Sequence, residues 1–485
     1  MQICRTTRIK NRMNIMHLNK LVITFSLMAL SACSSIPIMV PDMAMQSAKP
    51  PTLESARGPL SAQQSKKILA RIKKDGVETS IFDKHLALIG EVVGSPLIVG
   101  NKVDLLIDGP STYAAMLSAI DNAKDHINME TFIFEDDEIG HEFAMRLMAK
   151  QRSGVQVNLI YDSVGSISTP KEFFATLKES GINVLEFNPI NPANVRKEWS
   201  PNERDHRKLL IVDGKTAFVG GINISSVYSK GSFSGSNSKP QKKPAKTDAN
   251  QSELAGIPWR DTHLKLAGPV VAEFQKLFIE TWQQQKGDAL ASKDYLPALT
   301  NQGNEVVRAI GSTPDEPYSQ IYATLISAIN SAETQVYLTN AYFVPDPQLL
   351  ATLKDAVNRG VSVKLLLPEK TDSDLVFYAS RSYYNELLEA GVEIYEHEVA
   401  ILHAKTALID GVWSTIGSTN LDWRSFVNNQ EINAVMLGQD FGDQMQNMFY
   451  EDLTVSQQIT LEDWRNRPLT SRIKERAARL WARFL

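Results

Sequence analysis

HRKLLIVDGKTAFVGGIN, residues His206 to Asn223, and HAKTALIDGVWSTIGSTN, residues His403 to Asn420, are two versions of one pattern: His-x-Lys, four residues, Asp, six residues, a Gly-Gly or Gly-Ser pair, one residue, Asn. His and Lys two residues apart share one face of a strand, because strand side chains alternate. The apolar runs Leu209 to Val212 and Thr406 to Ile409 carry that strand into a core. Asp213-Gly214 and Asp410-Gly411 are hairpin-turn pairs that send the chain back as a second strand. Each copy therefore reads as a hairpin with His and Lys on its first strand and Asn223 or Asn420 at the far end of its second.

Moving outward, the surroundings repeat as well. Upstream of the first hairpin come a strand at Val103 to Ile107, a helix at Ser111 to Lys124, a strand at Ile127 to Phe134, a helix at Ile139 to Ser153, a strand at Val155 to Tyr161, a helix at Lys171 to Ser180 and a strand at Val184 to Phe187. This alternation predicts an α/β sheet covered by helices on both faces. INMETFIF (Ile127 to Phe134) reappears as VYLTNAYF, SGVQVNLIYD (Ser153 to Asp162) as RGVSVKLLLP (Arg359 to Pro368), and SGINVLEF as AGVEIYEH. A repeat this long is a duplicated domain rather than a solenoid. Twin domains packed about a pseudo-twofold axis would bring their two hairpins to one seam. The predicted fold is thus two related α/β/α domains, spanning 61–290 and 291–485, with one active site at their interface. A polar, Lys-rich helical segment, Leu60 to Lys84, is expected on the first domain, and Ser229 to Glu253, rich in Ser, Lys, Pro and Gly, reads as a disordered insertion.

The chain has 485 residues, 43% hydrophobic and 22% charged, the balance of an ordinary globular protein. A net charge of −4 gives no general attraction to nucleic acid. The two cysteines, Cys4 and Cys33, precede the predicted domains, which excludes a disulfide framework within them. Residues 1–20 carry five basic and no acidic residues, and the apolar run LVITFSLMAL leads into Ser-Ala-Cys. That run is too short to cross a bilayer and reads as a signal peptide. Leu30-Ser31-Ala32-Cys33 resembles the bacterial lipoprotein box, which implies lipidation at Cys33 and, with Ser34 following, attachment at the outer membrane. Residues 34–60 read as a tether. At the other end, Ser471 to Leu485 places Ile473, Ala477, Leu480, Trp481 and Phe484 on one helical face, with Arg472, Arg476, Arg479 and Arg483 near another. Such a basic amphipathic helix suits a membrane surface or a place against the core.

Two histidines and two lysines at one seam, without a carboxylate-rich metal cluster, suit a phosphodiester. Lys208, Lys405, Asn223 and Asn420 would donate to its non-bridging oxygens and stabilise transition-state charge. One imidazole would attack phosphorus while the other protonates the leaving alkoxide, then deprotonates the incoming alcohol or water. Two displacements predict retention of configuration. A nucleophilic histidine needs an acceptor on its other ring nitrogen. Glu431 is placed by sequence to serve His403, and Asp261 to serve His206. Asp213 and Asp410 sit at turns beyond an apolar run, which points to a structural role. His85, His126, His141, His263 and His397 carry no repeat and read as ordinary surface or core residues.

The duplicated motif resembles the signature of the phospholipase D superfamily, and PWRDTH (Pro258 to His263), STNLDWRSFVNNQEIN (Ser418 to Asn433) and METFIF (Met129 to Phe134) are similar to motifs of bacterial cardiolipin synthases. The resemblance runs from about Ile98 to Leu485. It implies a catalytic set of His206, Lys208, Asp213, His403, Lys405 and Asp410, with His206 as nucleophile and His403 as acid and base. It also implies phosphate contacts from Ser418 beside Asn223 and Asn420, and no metal or cofactor. The reaction it implies is transfer of a phosphatidyl group from phosphatidylglycerol or a related phospholipid, with hydrolysis by water as the alternative. Gly221 stands where the second copy has Ser418, so a hydroxyl is present on one side only.

Overall fold

The computed structural model describes residues 52–73, 79, 81–86, 89–90, 93–190, 200, 202–231 and 256–485. The signal segment, Cys33, most of the 34–60 stretch and nearly all of the 229–253 insertion lie outside the described residues.

Both motif stretches are hairpins. Lys208–Val212 pairs antiparallel with Thr216–Gly220, and Lys405–Ile409 with Trp413–Gly417. At each turn Asp and Gly both take positive φ, 53° and 60° at Asp213 and Gly214, and 50° and 66° at Asp410 and Gly411. Asp tolerates this left-handed region and Gly adopts it without steric cost.

Around each hairpin the strands fall in the same order. The first sheet runs Leu97–Leu106, His263–Ala267, Thr216–Gly220, Lys208–Val212, His126–Thr131, Gln156–Asp162, Asn183–Phe187. The second runs Glu305–Ser312, Asn429–Leu437, Trp413–Gly417, Lys405–Ile409, Gln335–Asn340, Ser362–Pro368, Glu393–His397, with Ser456–Ile459 added at its edge. In each, the last three repeat strands are parallel and the others antiparallel. The Leu97–Leu106 strand joins the two: its later residues pair with His263–Ala267, and Ile98 and Asn101 face Val307 and Glu305 of the second half.

Alternation along the first hairpin feeds two separate cores. Leu210, Val212 and Phe218 pack with Tyr113, Phe143 and Phe174 of the helices Gly109–Asn122, Glu138–Arg152 and Lys171–Glu179. Leu209, Ile211 and Val219 enter a second core with Phe274 and Phe278 of helix Val271–Gln284 and with Phe441, Met445 and Phe449 of helix Gln439–Leu453. Ile416, Ile432 and Leu408 of the second half enter that same core, so it joins the halves. Full burial of one such Phe contributes about 2–3 kcal/mol, which makes the seam a packed interior rather than a sliding contact.

Three regions differ from the sequence expectation. Leu53–Ser55, expected in the tether, is a strand paired parallel with Leu97 and Ile98, because its backbone completes the exposed edge there. The segment expected on the first domain starts as helix Ala62–Ile72 but lies on the second half: Ile72 approaches Gly438, Thr79 donates to Asp410, and His85 bonds Ser327 and packs edge-on against Trp413. Near the C-terminus, where the sequence offered a membrane surface or the core, helix Leu469–Arg479 departs from the core alternative: it buries Glu475 and Ala478 rather than its apolar face, and Glu475 is held by Arg467.

Candidate active site

Each motif histidine stands where its chain enters the hairpin, and there the opposite half grips it. Arg204–Asp205 pairs parallel with Asn429 and Gln430, and the His206 N–H donates to the Gln430 carbonyl at 2.9 Å. In mirror fashion Trp259–Arg260 pairs with Ile401–Leu402, and the His403 N–H donates to the Arg260 carbonyl at 2.7 Å. Two charged side chains lock this crossing. Arg207 donates to the Glu431 carbonyl at 3.2 Å, and the Arg260 guanidinium makes a two-pronged bond to Asp452 at 3.0 and 2.8 Å.

The crossing reverses the expected pairing of carboxylates. His206 Nδ1 bonds both oxygens of Glu431, at 3.1 and 3.0 Å, and His403 Nδ1 bonds Asp261 Oδ2 at 2.6 Å. Each carboxylate follows the other half's hairpin: Glu431 within strand Asn429–Leu437, and Asp261 between strands Trp259–Arg260 and His263–Ala267. The registers make them equivalent: Gly220 faces His263 as Gly417 faces Asn433, so Asp261 and Glu431 occupy matching places. Sequence proximity assigned each to its own half, whereas the interlocked strands carry it across. Because Nδ1 is occupied, each ring is left with Nε2 for a substrate, and the side chains of His206 and His403 remain 10% and 9% exposed.

The equivalence also explains the Gly221 departure. A Cβ at Gly221 would lie 2.2 Å from Asp261 Oδ1, which leaves no room for a side chain. At the matching position, Ser418 has space and its hydroxyl donates to Glu431 Oε2. Ser418 therefore holds the carboxylate that orients His206, and its hydroxyl oxygen accepts from the Ile432 N–H at 3.0 Å; this differs from the expected phosphate contact.

Lys208 and Lys405 each turn back so that Nζ donates to the carbonyl of their own motif histidine, at 2.6 Å for Lys208. Both are buried, and burial lowers Lys208 to about 7 and Lys405 to about 8, partly offset by Glu431 and Asp261. Burial also brings His206 down to about 4, against the pull of Glu431. His403 is lowered by burial and by Lys405, opposed by Asp261. Burial alone would raise Glu431, but the electrostatic pull of His206 and Lys208 and the bonds from His206 and Ser418 outweigh it, holding it at about 2. Asp261 is also lowered: His403 and Lys405 overcome its burial. At neutral pH the His206–Glu431 pair is a carboxylate accepting from a neutral imidazole, the form a nucleophile requires.

A pH profile follows from these directions. His206 is neutral only above about 4, so activity rises as pH climbs through that value. The lysines are cationic donors only below about 7 and 8, so activity falls as pH climbs through those values. We expect a bell-shaped kcat/KM whose alkaline limb reports loss of the free enzyme's proton donors, His403 first, because burial and Lys405 lower it, and then the lysines. A bound phosphodiester anion would raise the lysine values, so the alkaline limb of kcat should lie higher. Coincident limbs for kcat and kcat/KM would contradict this.

The remaining sequence candidates divide. Asn223 has Oδ1 accepting from the Ile133 N–H at 3.2 Å and Nδ2 donating to the Tyr228 hydroxyl at 3.2 Å, so it is engaged within the protein. Asn420 Oδ1 is buried with no hydrogen-bond partner. Asp213 and Asp410, counted in the implied catalytic set, are far along their strands from the histidines. Asp213 accepts from the N–H groups of Lys124, Asp125 and His126, and Asp410 from Glu333, Thr334 and Gln335 and from the hydroxyls of Thr79 and Thr334. Their role is to tie each hairpin turn to the neighbouring strand. Of the other histidines, His263 is fully buried without a partner beside Gly220, and His397 bonds the Ala400 carbonyl.

Three aromatic residues lay outside the sequence reading. Phe132 packs edge-on to His206 at 5.0 Å and lies 5.1 Å from Lys208 Nζ, while Trp259 and Tyr228 lie 5.2 and 6.0 Å from His403. The Tyr228 hydroxyl is 3.3 Å from His403 Nδ1. All three come from the first half. The second half has Ala341, Ser425 and Asn429 at the corresponding positions, so a search for repeats could not find them. Trp259, inside PWRDTH, and Phe132, inside METFIF, carried a signal in those family-like stretches, whereas Tyr228 carried none.

Comparison with known proteins agrees with this geometry. Residues 116–231 and 325–453 match the family model described as cardiolipin synthase, PLD-like domain. The chain is 34% identical over 387 residues to a cardiolipin synthase of Geobacillus kaustophilus, covering 79% of this chain and 72% of that one. It is 35% identical over 384 residues to the major cardiolipin synthase of Bacillus subtilis, covering 78% and 74%. The fold is also similar to the crystal structure of a phosphatidylserine synthase from Haemophilus influenzae, with a TM-score of 0.57 at 13% identity over 82% of this chain and 99% of that one. With both motif copies matched and most of its length aligned to such relatives, the chain is an enzyme of the phospholipase D superfamily and belongs to its cardiolipin synthase family.

Proposed function

We propose that the protein transfers a phosphatidyl group from one phosphatidylglycerol to the headgroup hydroxyl of another, making cardiolipin and glycerol. The observation that supports this best is the crossed pair of imidazoles, each held at Nδ1 by a carboxylate of the opposite half and flanked by a buried lysine. In the first step His206 Nε2 attacks phosphorus, the bond to the glycerol oxygen breaks, and His403 gives that oxygen its proton. Lys208 and Lys405 take up the charge on the non-bridging oxygens. In the second step a headgroup hydroxyl of the second lipid gives its proton to His403 while its oxygen attacks phosphorus. The P–N bond breaks and His206 is restored. The anionic substrate raises the basicity of His403, which lets it hold the proton that burial alone disfavours. Lipid attachment through Cys33, on the periplasmic face of the outer membrane in a bacterial envelope, belongs to this reading and is supported by the Leu30-Ser31-Ala32-Cys33 box behind its basic and apolar leader.

Lipid mass spectrometry after incubation with phosphatidylglycerol tests the reaction. Cardiolipin with an equal amount of glycerol is the expected outcome. Phosphatidic acid without cardiolipin would replace transfer by hydrolysis.

A further inference from the structure

The C-terminal segment exposes what a soluble surface normally covers. Leu469, Ile473, Leu480, Trp481 and Phe484 are 70%, 60%, 81%, 57% and 73% exposed. Leu469, Ile473, Arg476 and Leu480 follow an i, i+4, i+7, i+11 spacing, so on a continuing helix they share one face. The opposite face is the seated one: Glu475 and Ala478 are buried, Lys474 bonds the Tyr378 hydroxyl at 3.1 Å, and Arg479 bonds the Ser382 carbonyl and Glu386. The segment is thus held firmly with its apolar side outward. Among the described residues no helix is long and apolar enough to cross a membrane.

Beside this face lies a cleft of about 400 Å³ lined by Arg465, Arg467, Arg472, Arg476 and Arg479, with Glu386 and Glu475 as its acids. Both acids are already paired, Glu475 with Arg467 and Glu386 with Arg479. Arg472 donates through Nη2 to the Arg465 carbonyl while its Nε is buried with no hydrogen-bond partner, and the carboxylate pairs around the cleft go to Arg465, Arg467 and Arg479. The chain end then reaches back toward the site: the Arg424 N–H donates to the Leu485 carbonyl oxygen at 2.7 Å, and Arg424 belongs to helix Trp423–Val427, between Asn420 and Glu431.

We propose that residues 469–485 form an interfacial docking surface that lays the enzyme on an anionic phospholipid bilayer, its apolar side chains entering the headgroup boundary and the arginine cleft taking lipid phosphates. Positive charge beside exposed Trp, Phe and Leu matches a surface that is anionic outside and apolar beneath. A protein partner would need its own apolar patch ringed with acids, whereas an anionic bilayer supplies both features everywhere. This deepens the functional reading and rests on it only for the use of lipid, because docking can be measured without turnover.

The test uses the full chain with Cys4 and Cys33 replaced by serine and an environment-sensitive dye attached through Phe484→Cys. With vesicles of phosphatidylcholine and phosphatidylglycerol the dye emission should shift to the blue, and with phosphatidylcholine alone it should not. Arg476→Glu, which alters an exposed side chain, should weaken the vesicle-dependent shift about tenfold. It should also slow turnover on vesicles while leaving turnover in detergent micelles unchanged. No shift with the anionic vesicles, or a shift indifferent to Arg476→Glu, would overturn the docking surface. A normal shift with no turnover on any phospholipid would leave docking standing and remove the functional reading instead.

Discussion

Replacing His206 with alanine should reduce phosphatidyl turnover by about four orders of magnitude or more, because it removes the imidazole that attacks phosphorus and carries the phosphatidyl group between the two steps. The equivalent change at His403 should look different when the leaving group is varied. His403→Ala deprives a poor leaving group such as glycerol of its proton. A nitrophenol headgroup leaves without one. The His403→Ala protein should therefore release nitrophenolate in a single burst and accumulate the phosphatidyl enzyme, since the second step still needs a base. Intact-protein mass spectrometry would register the added phosphatidyl group on His206. A burst from His206→Ala and none from His403→Ala would exchange the two roles.

The second large effect concerns the crossed carboxylates. Glu431→Gln and Asp261→Asn preserve shape while removing the charge that fixes each imidazole's tautomer and steadies it when it carries positive charge. A change of this kind costs about 10⁴ in rate in hydrolases with comparable His–carboxylate pairs. Since Glu431 bonds His206, Glu431→Gln should suppress the burst itself, even with the nitrophenol ester. Since Asp261 bonds His403, Asp261→Asn should spare the burst and suppress turnover of phosphatidylglycerol. The reverse pattern would mean that each carboxylate serves its own half. Thermal melting of both variants guards against simple unfolding, because each removes charge from a buried network.

These outcomes depend on details that were only partly visible in the chain. The repeat, the Asp-Gly turns and the parallel strand–helix units were legible because they rest on local periodicity and turn chemistry, and the observed strands lie within a few residues of expectation at most of these places. The extra length of Leu97–Leu106 was not legible, since its early residues pair with a strand about two hundred residues away. Nor was the placement of the N-terminal segment that begins with Ala62–Ile72 on the second half, where Ile72 approaches Gly438, Thr79 bonds Asp410, and His85 bonds Ser327 and packs on Trp413. The family resemblance implied a phosphate contact for Ser418. Its true neighbour, Glu431, is thirteen residues away in sequence and is brought there by antiparallel pairing.

By itself the amino-acid order determined two equivalent hairpins, each bearing a histidine and a lysine on a common strand face, together with the carboxylate candidates Asp261 and Glu431. Short-range rules suffice for that: two-residue alternation, left-handed turns and the burial of apolar runs. Which carboxylate faces which ring was decided only in three dimensions, where Arg204–Asp205 and Trp259–Arg260 each pair with a strand of the opposite half. The same packing sets Phe132, Tyr228 and Trp259, all from one half, around two otherwise matched histidines. Duplication makes the two halves alike in sequence, but contacts formed between halves need not be alike, because each half meets a surface that has diverged from its own.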